Sequence, residues 1–152
     1  MTEIKYLREI LTTIFNEHVP FNKHLGMKVE FLDMEKAQIR VDMRPELVGN
    51  FMQKILHGGV ISASLDVMGG LAAFLKVLKN MEDATDEEKI QKFSRFGTLD
   101  LRIDFLRPGR GKFFIASASV LRAGNKVAVT KMELHNDAGL LIAVATGTYV
   151  VV

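Results

Sequence analysis

The fold is decided by two stretches of the chain, residues 58–75, which read GGVISASLDVMGGLAAFL, and residues 97–111, which read GTLDLRIDFLRPGRG. The first stretch contains one charged residue, Asp66, and is apolar nearly all round. Because it is too long for a strand, it predicts a helix over residues 60–79 that other elements enclose. In the second stretch apolar and polar side chains alternate over residues 98–106, which predicts a strand.

Turn-forming residues divide the sequence around these two elements into further strands. After the strand over residues 98–106, three more strands are predicted at residues 112–122, 126–135 and 140–151. Turns that contain Gly separate them. Before the central helix, residues 27–33 and 37–44 predict a hairpin, since apolar and polar residues alternate in the second of these runs.

The N-terminal region and two further segments complete the assignment. Apolar residues at helical spacing predict an amphipathic helix over residues 3–17, with Thr2 as its N-cap. Pro20 is expected to end this helix. A capping-box pattern at Thr85 predicts a short surface helix that ends near Arg95. Two segments without a clear period are interpreted as loops, residues 20–26 and 45–59.

The order of these elements has a natural packing solution. A helix, two strands, a long apolar helix and four strands predict an α+β fold, in which one antiparallel six-stranded sheet wraps around the central helix. This is the hotdog arrangement, here with an additional N-terminal helix. The length of 152 residues predicts one domain that spans residues 1–152.

Composition and missing motifs exclude several kinds of chemistry. The chain has no Cys, which excludes thiolate metal sites and Cys nucleophiles and suits a reducing compartment. Charges interrupt every apolar stretch at the N-terminus, so we predict a cytoplasmic location. No phosphate-loop, dinucleotide or serine-hydrolase motif occurs, and the four His residues lack zinc-ligand spacing. We therefore expect no metal, no separate cofactor and no nucleic-acid partner.

The central helix is also the one stretch that approaches the length of a membrane span. Asp66 lies near its middle, and four glycines interrupt it. A charged residue at that depth is costly in a bilayer. We therefore expect the helix to be a core element and the protein to lack a membrane span.

Two features of this helix suggest chemistry. Asp66 is a lone carboxylate among apolar residues, where an acid is costly to keep without a partner or a task. Gly58 and Gly59 lie where the helix begins, so their N–H groups and the helix dipole suit an oxyanion hole. The alternatives are a structural Asp bonded to a neighbouring hydroxyl and glycines that merely permit close packing.

The stretch LHGGVISASLDVMGGLAA, followed by GTLDLRIDFLRPGRG, closely resembles the acyl-CoA thioesterases of the hotdog superfamily. In their phenylacetate-pathway type, a His-Gly-Gly precedes the helix and an Asp follows the His by nine residues. Here these are His57, Gly58, Gly59 and Asp66. The resemblance covers essentially the whole chain and is closest to the YigI-like branch, to which medium- and long-chain acyl-CoA substrates are attributed.

The resemblance implies hydrolysis of acyl-CoA, with coenzyme A as part of the substrate. It implies that Asp66 is the general base or the nucleophile and that His57 helps to orient the thioester carbonyl. Thr98 occupies the position of a Ser or Thr that orients the water. Asn50 is a further site candidate, although its loop differs in length from that of relatives, which carry an Asn nearer the His.

Helix geometry then predicts how the protein assembles. Asp66 lies eight residues beyond Gly58, which corresponds to about 10–12 Å along a helix. The reacting carbon must lie within about 3 Å of both the nucleophile and the oxyanion donors, which one straight helix cannot arrange. We therefore predict a homodimer in which Gly58 of one protomer faces Asp66 of the other. As a separate expectation, such dimers assemble to a homotetramer.

Basic residues in the later turns are candidates for binding the phosphates of coenzyme A, although each is also explained as a solvated surface charge. The predicted set, with one glycine of the first turn, is Arg107, Gly109, Arg110, Arg122 and Lys126. Two other functions stay open at this point. One is hydration or dehydration of acyl thioesters, and the other is a non-catalytic sensor that binds acyl-CoA.

Overall fold

The structure is a computed structural model that describes residues 2–152, with side chains from Lys5 onward. It contains four α-helices, which are α1 Thr2–Thr13, α2 Pro20–Leu25, α3 Gly58–Lys79 and α4 Asp86–Phe93. It also contains eight strands, which are β1 Met27–Leu32, β2 Ala37–Asp42, β3 Val48–Asn50, β4 Ile55–Leu56, β5 Gly97–Phe105, β6 Phe113–Ala123, β7 Val127–Asn136 and β8 Leu141–Val150. The predicted N-cap role of Thr2 concerns a side chain outside the described ones.

Six of the strands form one antiparallel sheet in the order β1-β2-β6-β7-β8-β5. The hotdog fold predicted from the sequence is confirmed, since the long helix α3 packs against β2, β5, β6, β7 and β8. Strand β5 lies at one edge of the sheet, and β1 lies at the other. Strands β3 and β4 form a separate small hairpin before α3.

The core lies between α3 and the sheet. Leu65, Met68 and Leu71 of α3 are completely buried, and so are Phe114 of β6 and Met132 of β7. By length and composition alone α3 could cross a membrane. An 18-residue stretch of this helix has a mean hydropathy of 1.6, but 61% of that stretch is buried inside the protein. Burial of this kind is typical of a core helix.

The N-terminal region contains more helix than the sequence predicted. Helix α1 continues as a turn of π-helix over Ile14–His18, and α2 then begins at Pro20 and ends at Gly26, which has a left-handed φ of 72°. The loop predicted over residues 20–26 is therefore wrong. A Pro at the first helical position starts a helix as readily as it ends one, because that N–H has no intrahelical partner.

The loop predicted over residues 45–59 is also partly wrong. It holds a 3₁₀ turn at Pro45–Leu47 and the β3–β4 hairpin, which reverses at Lys54 with a positive φ of 53°. Strands of three and two residues are too short to show the alternation from which a strand is predicted.

Strand β5 is confirmed, but its apolar face is only partly buried. Leu99 is 59% exposed and Phe105 is 56% exposed. The register of β5 against β8 shifts between Thr98 and Asp100, which displaces Leu99 from the regular alternation. Because β5 is an edge strand, one side of its backbone has no partner among the described strands.

Helix α4 covers the end of the core and has the capping box that the sequence predicted. Thr85 Oγ1 accepts from the N–H of Glu88 at 3.3 Å, and Glu88 Oε2 accepts from the N–H of Thr85 at 2.8 Å. The helix ends at Phe93, two residues before the predicted end. Four rings then form edge-to-face contacts with centroids 5.1–5.7 Å apart, those of Phe15, Phe74, Phe93 and Phe96.

Candidate active site

Asp66 and Thr98 meet between the central helix and the edge strand. Asp66 is half-buried on α3, and Thr98 is exposed on β5. The Thr98 hydroxyl donates to Asp66 Oδ1 at 2.8 Å. This bond holds the carboxylate in one orientation and leaves the oxygen of Thr98 able to accept a hydrogen bond from another group. The structure therefore brings together two of the predicted site residues.

Tyr149 of β8 contacts the main chain at Asp66, and this contact was not predicted from the sequence. Its buried hydroxyl donates to the main-chain oxygen of Asp66 at 3.0 Å. Gly147 leaves room for it, since a Cβ there would lie 2.7 Å from the hydroxyl, and a Cβ at Gly69 of α3 would collide with it. Burial and the neighbouring Asp66 raise the pKa of Tyr149, so the hydroxyl stays protonated as a donor. A Gly inside α3 was the sequence signal for such a close approach.

A cavity of about 180 Å³ lies beside the carboxylate of Asp66. Its wall is mostly apolar and is built by the π-helical turn, α2, α3, β5 and the region of α4. The lining residues besides Asp66 and Thr98 include Phe15, Val19, Asn22, Val67, Leu71, Phe93, Phe96 and Tyr149. An apolar cavity that opens on one fixed carboxylate can hold an apolar group while a reaction occurs at its polar end.

Larger depressions exist elsewhere but lack such chemistry. One of about 620 Å³ lies along the β3–β4 hairpin beside Phe51 and Lys54. Another of about 270 Å³ lies between α1 and the β1–β2 turn, beside Leu11 and Met34. Neither is lined by Asp66 or by the start of α3. The smaller cavity at Asp66 is therefore the stronger candidate.

The start of α3 forms the second half of the candidate site. His57 is its N-cap, and the ring Nδ1 accepts from the N–H of Gly59 at 2.7 Å. The predicted role of Gly59 as an oxyanion donor therefore needs correction, because its N–H is already engaged. The N–H of Gly58 has no acceptor within residues 2–152 and remains the donor at this helix start.

The cap also fixes the chemistry of His57. A neutral imidazole whose Nδ1 accepts a hydrogen bond carries its proton on Nε2. The exposed ring therefore presents an N–H donor at the start of α3. Gly49 of β3 lets the ring pack closely, since a Cβ there would lie 2.8 Å from His57 Cα and 3.0 Å from Cδ2. This contact of Gly49 was not predicted from the sequence.

The two halves lie at opposite ends of β5 and about two turns apart along α3. A Cβ at Gly58 would lie 3.3 Å from Phe105 at the end of β5, whereas Asp66 bonds Thr98 at the beginning of β5. Eight residues of α3 between Gly58 and Asp66 correspond to about 12 Å. Within one chain the oxyanion donor and the carboxylate therefore do not converge on one carbon.

Asn50 lies at the end of β3, away from Asp66. Its Oδ1 accepts from the N–H groups of Met52 at 3.1 Å and Gln53 at 3.2 Å. Asn50 thus closes the turn of the β3–β4 hairpin, as Asn commonly does. The structure gives its side chain a structural role in this turn, and its role in the active site stays a prediction.

The residues of the β5–β6 turn are partly engaged in packing. Arg107 Nη1 donates to the carbonyl of Leu141 at 3.0 Å, and Arg110 donates to the carbonyl of Gln53 at 2.8 Å. Gly109 is buried, and its carbonyl accepts from the N–H of Leu56 at 2.9 Å. Gly109 therefore fixes the hairpin that precedes His57, which is a packing role that the sequence did not predict.

The predicted coenzyme A residues do not form one patch on the chain. Arg122 and Lys126 lie around the β6–β7 turn, whereas Arg107 and Arg110 lie near the other end of the sheet. The eleven residues of β6 that separate the two ends correspond to about 35 Å. The predicted residues therefore do not converge within one protomer, because spacing along the sequence does not show at which end of a sheet a turn lies, and their role in binding phosphates stays a prediction.

The described part of the chain contains no group of three or more His, Asp or Glu side chains that could hold a metal ion. Besides the amide of Asn22, the polar groups at the site are a carboxylate, two hydroxyls, an imidazole and a free backbone N–H. Such a set can activate a water or attack a carbonyl and can bind the oxyanion that develops.

Comparison with known proteins identifies the class. Residues 53–143 match the family model of the Thioesterase superfamily, a range that includes His57, Asp66 and Thr98. The chain belongs to this superfamily and is an enzyme of the thioesterase class.

Two kinds of relative show how close the similarity is. The medium/long-chain acyl-CoA thioesterase YigI of Escherichia coli K12 is 50% identical over 143 residues, which are 94% of this chain and 92% of that protein. YigI of Salmonella typhimurium is 48% identical over the same shares of both chains. A crystal structure from Shewanella oneidensis, described as related to the thioesterase superfamily, is 46% identical with a TM-score of 0.92 and covers 95% of this chain and 94% of that one.

Proposed function

We propose that this enzyme hydrolyses medium- and long-chain acyl-CoA thioesters to the free acid and coenzyme A. The observation that carries the proposal is the Asp66–Thr98 pair at the mouth of an apolar cavity. The similarity to YigI, whose name specifies this substrate class, supports it. We place the activity in the cytoplasm, a reducing compartment that suits a chain without Cys.

In this proposal Asp66 drives the attack on the thioester carbonyl. As a general base it takes a proton from a water whose oxygen forms the new C–O bond. As a nucleophile it forms a transient anhydride that water then opens. In both routes the C–S bond breaks, and the sulfur leaves as the thiol of coenzyme A after taking up a proton. Thr98 holds one carboxylate oxygen and has a lone pair for the water.

The oxyanion is stabilised by the start of α3. In this proposal the free N–H of Gly58 and the Nε2–H of His57 are the donors to the carbonyl oxygen as it gains charge. The positive end of the helix dipole adds to this stabilisation. Removing one donor of an oxyanion hole typically costs about 10²–10³ in kcat.

We propose that the complete site forms between two protomers paired along the β5 edge. An antiparallel pairing about a two-fold axis places the Thr98 end of one β5 beside the Phe105 end of the other. Asp66 of one protomer then faces Gly58 of its partner, which supplies the convergence that one chain lacks. Exposed apolar side chains on and just after β5 support this edge as the contact, those of Leu99, Phe105 and Leu106.

The same pairing reunites the basic residues. It brings the sheet end with Arg122 and Lys126 in one protomer next to the end with Arg107 and Arg110 in the other. All four are exposed and can reach phosphates near the boundary between subunits. The predicted homotetramer is a pair of such dimers.

Thiol release measured over acyl-CoA chains of increasing length tests the proposal. We expect hydrolysis that becomes faster from short to medium and long chains, because the cavity wall is apolar. If the protein adds water across the double bond of an enoyl thioester and releases no thiol from it, the protein is instead a hydratase. If no acyl-CoA of any length releases thiol, the proposed function is wrong.

The two chemical routes can be separated by a single turnover in water labelled with oxygen-18. Label found in the Asp66 carboxylate supports the anhydride, because water then attacks the carbonyl carbon of the carboxyl group. Label confined to the released acid shows that water attacks the acyl carbonyl carbon, as the general-base route requires and as an anhydride opened at that carbon would also give.

A further inference from the structure

The cavity beside Asp66 is small for the acyl chains of the proposed substrates. Its volume is about 180 Å³, whereas pockets for small molecules usually measure about 300–1,000 Å³. Three of its apolar wall residues, Val19, Val67 and Phe93, are only half-buried within the chain. A medium- or long-chain acyl group therefore needs more apolar wall than one protomer supplies.

The tip of the β3–β4 hairpin carries apolar surface that the chain itself does not cover. Phe51 is 78% exposed and Met52 is 79% exposed, the largest values among the exposed large apolar side chains that the structure describes. A single exposed apolar residue is ordinary, but adjacent large ones indicate a surface that makes contact with something else. The proposed reaction has not used this tip.

Hydrogen bonds hold the tip in one conformation. Asn50 Oδ1 accepts from the N–H groups of Met52 and Gln53, and the N–H of Lys54 donates to the carbonyl of Asn50 at 2.8 Å. Arg110 donates to the carbonyl of Gln53 at 2.8 Å and to its Oε1 at 3.2 Å. Because the hairpin is tied down on both sides, its apolar side chains stay in water until a partner covers them.

The same bonds place the hairpin at one end of strand β5. Arg110, which holds the tip, and Gly109, whose carbonyl accepts from the N–H of Leu56, both lie in the turn that follows Phe105. The tip therefore belongs to the Phe105 end of β5. In the proposed two-fold pairing this end lies beside the Thr98 end of the partner's β5, and Thr98 lines the cavity beside Asp66.

We propose that the hairpin tip, Phe51 with Met52, closes the cavity beside Asp66 of the partner subunit and limits the length of the acyl chain that fits. This inference rests on the proposed function and on its pairing along β5. The apolar tip then covers the half-buried apolar wall of the cavity, and two-fold symmetry closes both cavities of a dimer in the same way. Phe51 and Met52 are in this view specificity residues for the partner's site.

Photo-cross-linking of the full chain tests the contact without any need for activity. Phe51 is replaced by p-benzoylphenylalanine, and the labelled chain is mixed with a nitrogen-15 chain after reversible dissociation. Mass spectrometry should find peptides that join the two isotopic forms, with the acceptor in residues 15–22 or 93–98. Cross-links within one chain only, cross-links to other surfaces, or a protein that stays monomeric would overturn the proposal.

The control for this experiment is the same replacement at Phe31. Phe31 is also an exposed Phe, but it lies in β1 at the opposite edge of the sheet. It should give no cross-links to residues 15–22 or 93–98 of the partner subunit. Cross-links to these segments from position 31 as well would show that the contact is unspecific, which would also overturn the proposal.

The chain-length profile tests the specificity role. Phe51→Ala makes room at the closed end of the cavity, so the ratio of kcat/KM for hexadecanoyl-CoA to that for octanoyl-CoA should rise about 10-fold. Phe51→Trp removes room, so this ratio should fall about 10-fold. The ratio is insensitive to a general loss of active protein, because both substrates share that loss. Phe31→Ala is the matched control and should leave the ratio unchanged.

Three results separate this inference from its alternatives. If both Phe51 variants keep the ratio within about twofold of the unaltered protein, the tip does not limit chain length and the proposal is wrong. If replacing Phe51 and Met52 by Ala only abolishes sedimentation with phosphatidylglycerol vesicles, the tip is a membrane contact and the proposal is also wrong. If the cross-link forms but no acyl-CoA releases thiol, the proposed function alone is contradicted, since the tip still closes the cavity.

Discussion

At the scale of single residues, Asp66 is the position where the sequence, the burial and the hydrogen bonds all favour a catalytic role. It is the one charge in residues 58–75, it is half-buried, and Thr98 fixes one of its oxygens. The residue type and its isolation were readable from the sequence. Its supports Thr98 and Tyr149 are 32 and 83 residues away along the chain, so only the folded sheet shows the contact with Tyr149.

Asp66→Asn should remove turnover and leave the fold intact. The amide has nearly the same shape but is neither a base nor an effective nucleophile, so kcat should fall by at least about 10². Steady-state thiol release and circular dichroism measure the two effects. The matched control is Asp100→Asn, an exposed Asp on the same edge strand, which should keep activity near that of the unaltered enzyme. Activity of Asp66→Asn above one tenth, without contaminating enzyme, would contradict the role of Asp66.

The raised pKa of Tyr149 predicts how stability changes in alkali. Burial and Asp66 favour the protonated hydroxyl in the folded state, whereas an unfolded Tyr ionises near pH 10. Above about pH 10 the unfolded state therefore releases a proton that the folded state keeps, and the free energy of unfolding falls as pH rises.

Tyr149→Phe provides the comparison for this effect. Urea unfolding at pH 8 to 11 should show a shallower decline for the variant, and at pH 8 the variant should be less stable by about 1 kcal/mol from the lost hydrogen bond. Equal declines for both proteins would mean that Tyr149 ionises normally.

At the scale of elements, the length of each segment decides what the sequence can predict. Helix α3 and strand β5 are long enough to show their periods, and both were placed within two residues. Helix α2 and the β3–β4 hairpin were missed, because a six-residue helix and strands of two or three residues are set by tertiary contacts more than by local pattern. Asn22 and Gly49 lie in these missed elements, so their placement beside the site was unpredictable.

Gly49→Ala should disturb the start of α3 through the hairpin. The added Cβ would lie 2.8 Å from His57 Cα, so the backbone near the N-cap must shift. We expect a lower kcat and a loss of about 1–3 kcal/mol in the free energy of unfolding, as for other overpacked sites. Gly124→Ala is the control, since its Cβ would meet Val127 at an ordinary 3.5 Å. Equal behaviour of the two variants in urea unfolding and thiol release would show that the close contact between Gly49 and His57 tolerates a methyl group.

At the scale of the whole molecule, the arrangement of the basic turns is informative. Replacing Arg107 and Arg110 by Ala should raise KM for acyl-CoA, most clearly at low salt, because phosphate contacts are remote from the reacting bond. Replacing Arg122 and Lys126 by Ala should have the same effect if the partner's end of the sheet completes the site. A collapse of kcat at unchanged KM in either double variant would place the phosphates elsewhere.

Mixing two inactive variants tests the shared site directly. An Asp66→Asn protomer paired with a Gly58→Val protomer forms one doubly damaged site and one intact site. After reversible dissociation and equal mixing, activity should return to about one quarter of the original sites, since half of the dimers are mixed.

A second mixture is the control for this experiment. Asp66 and Thr98 lie in the same half of the site, so mixing Asp66→Asn with Thr98→Val should restore nothing beyond the residual activity of the parents. Continued inactivity of the first mixture, with mass spectrometry confirming mixed dimers and circular dichroism confirming folded parents, would place the whole site within one chain.

The proposed pairing along the open edge of β5 would also make catalysis depend on the amount of protein present. In that arrangement a single protomer keeps Asp66 and Gly58 apart and hydrolyses no acyl-CoA until it pairs with a second copy. Below the dissociation constant of the pair, the rate therefore grows with the square of the chain concentration. A cell that makes twice as much of this chain would then hydrolyse four times as much thioester, which turns a modest change in expression into a steeper change in flux.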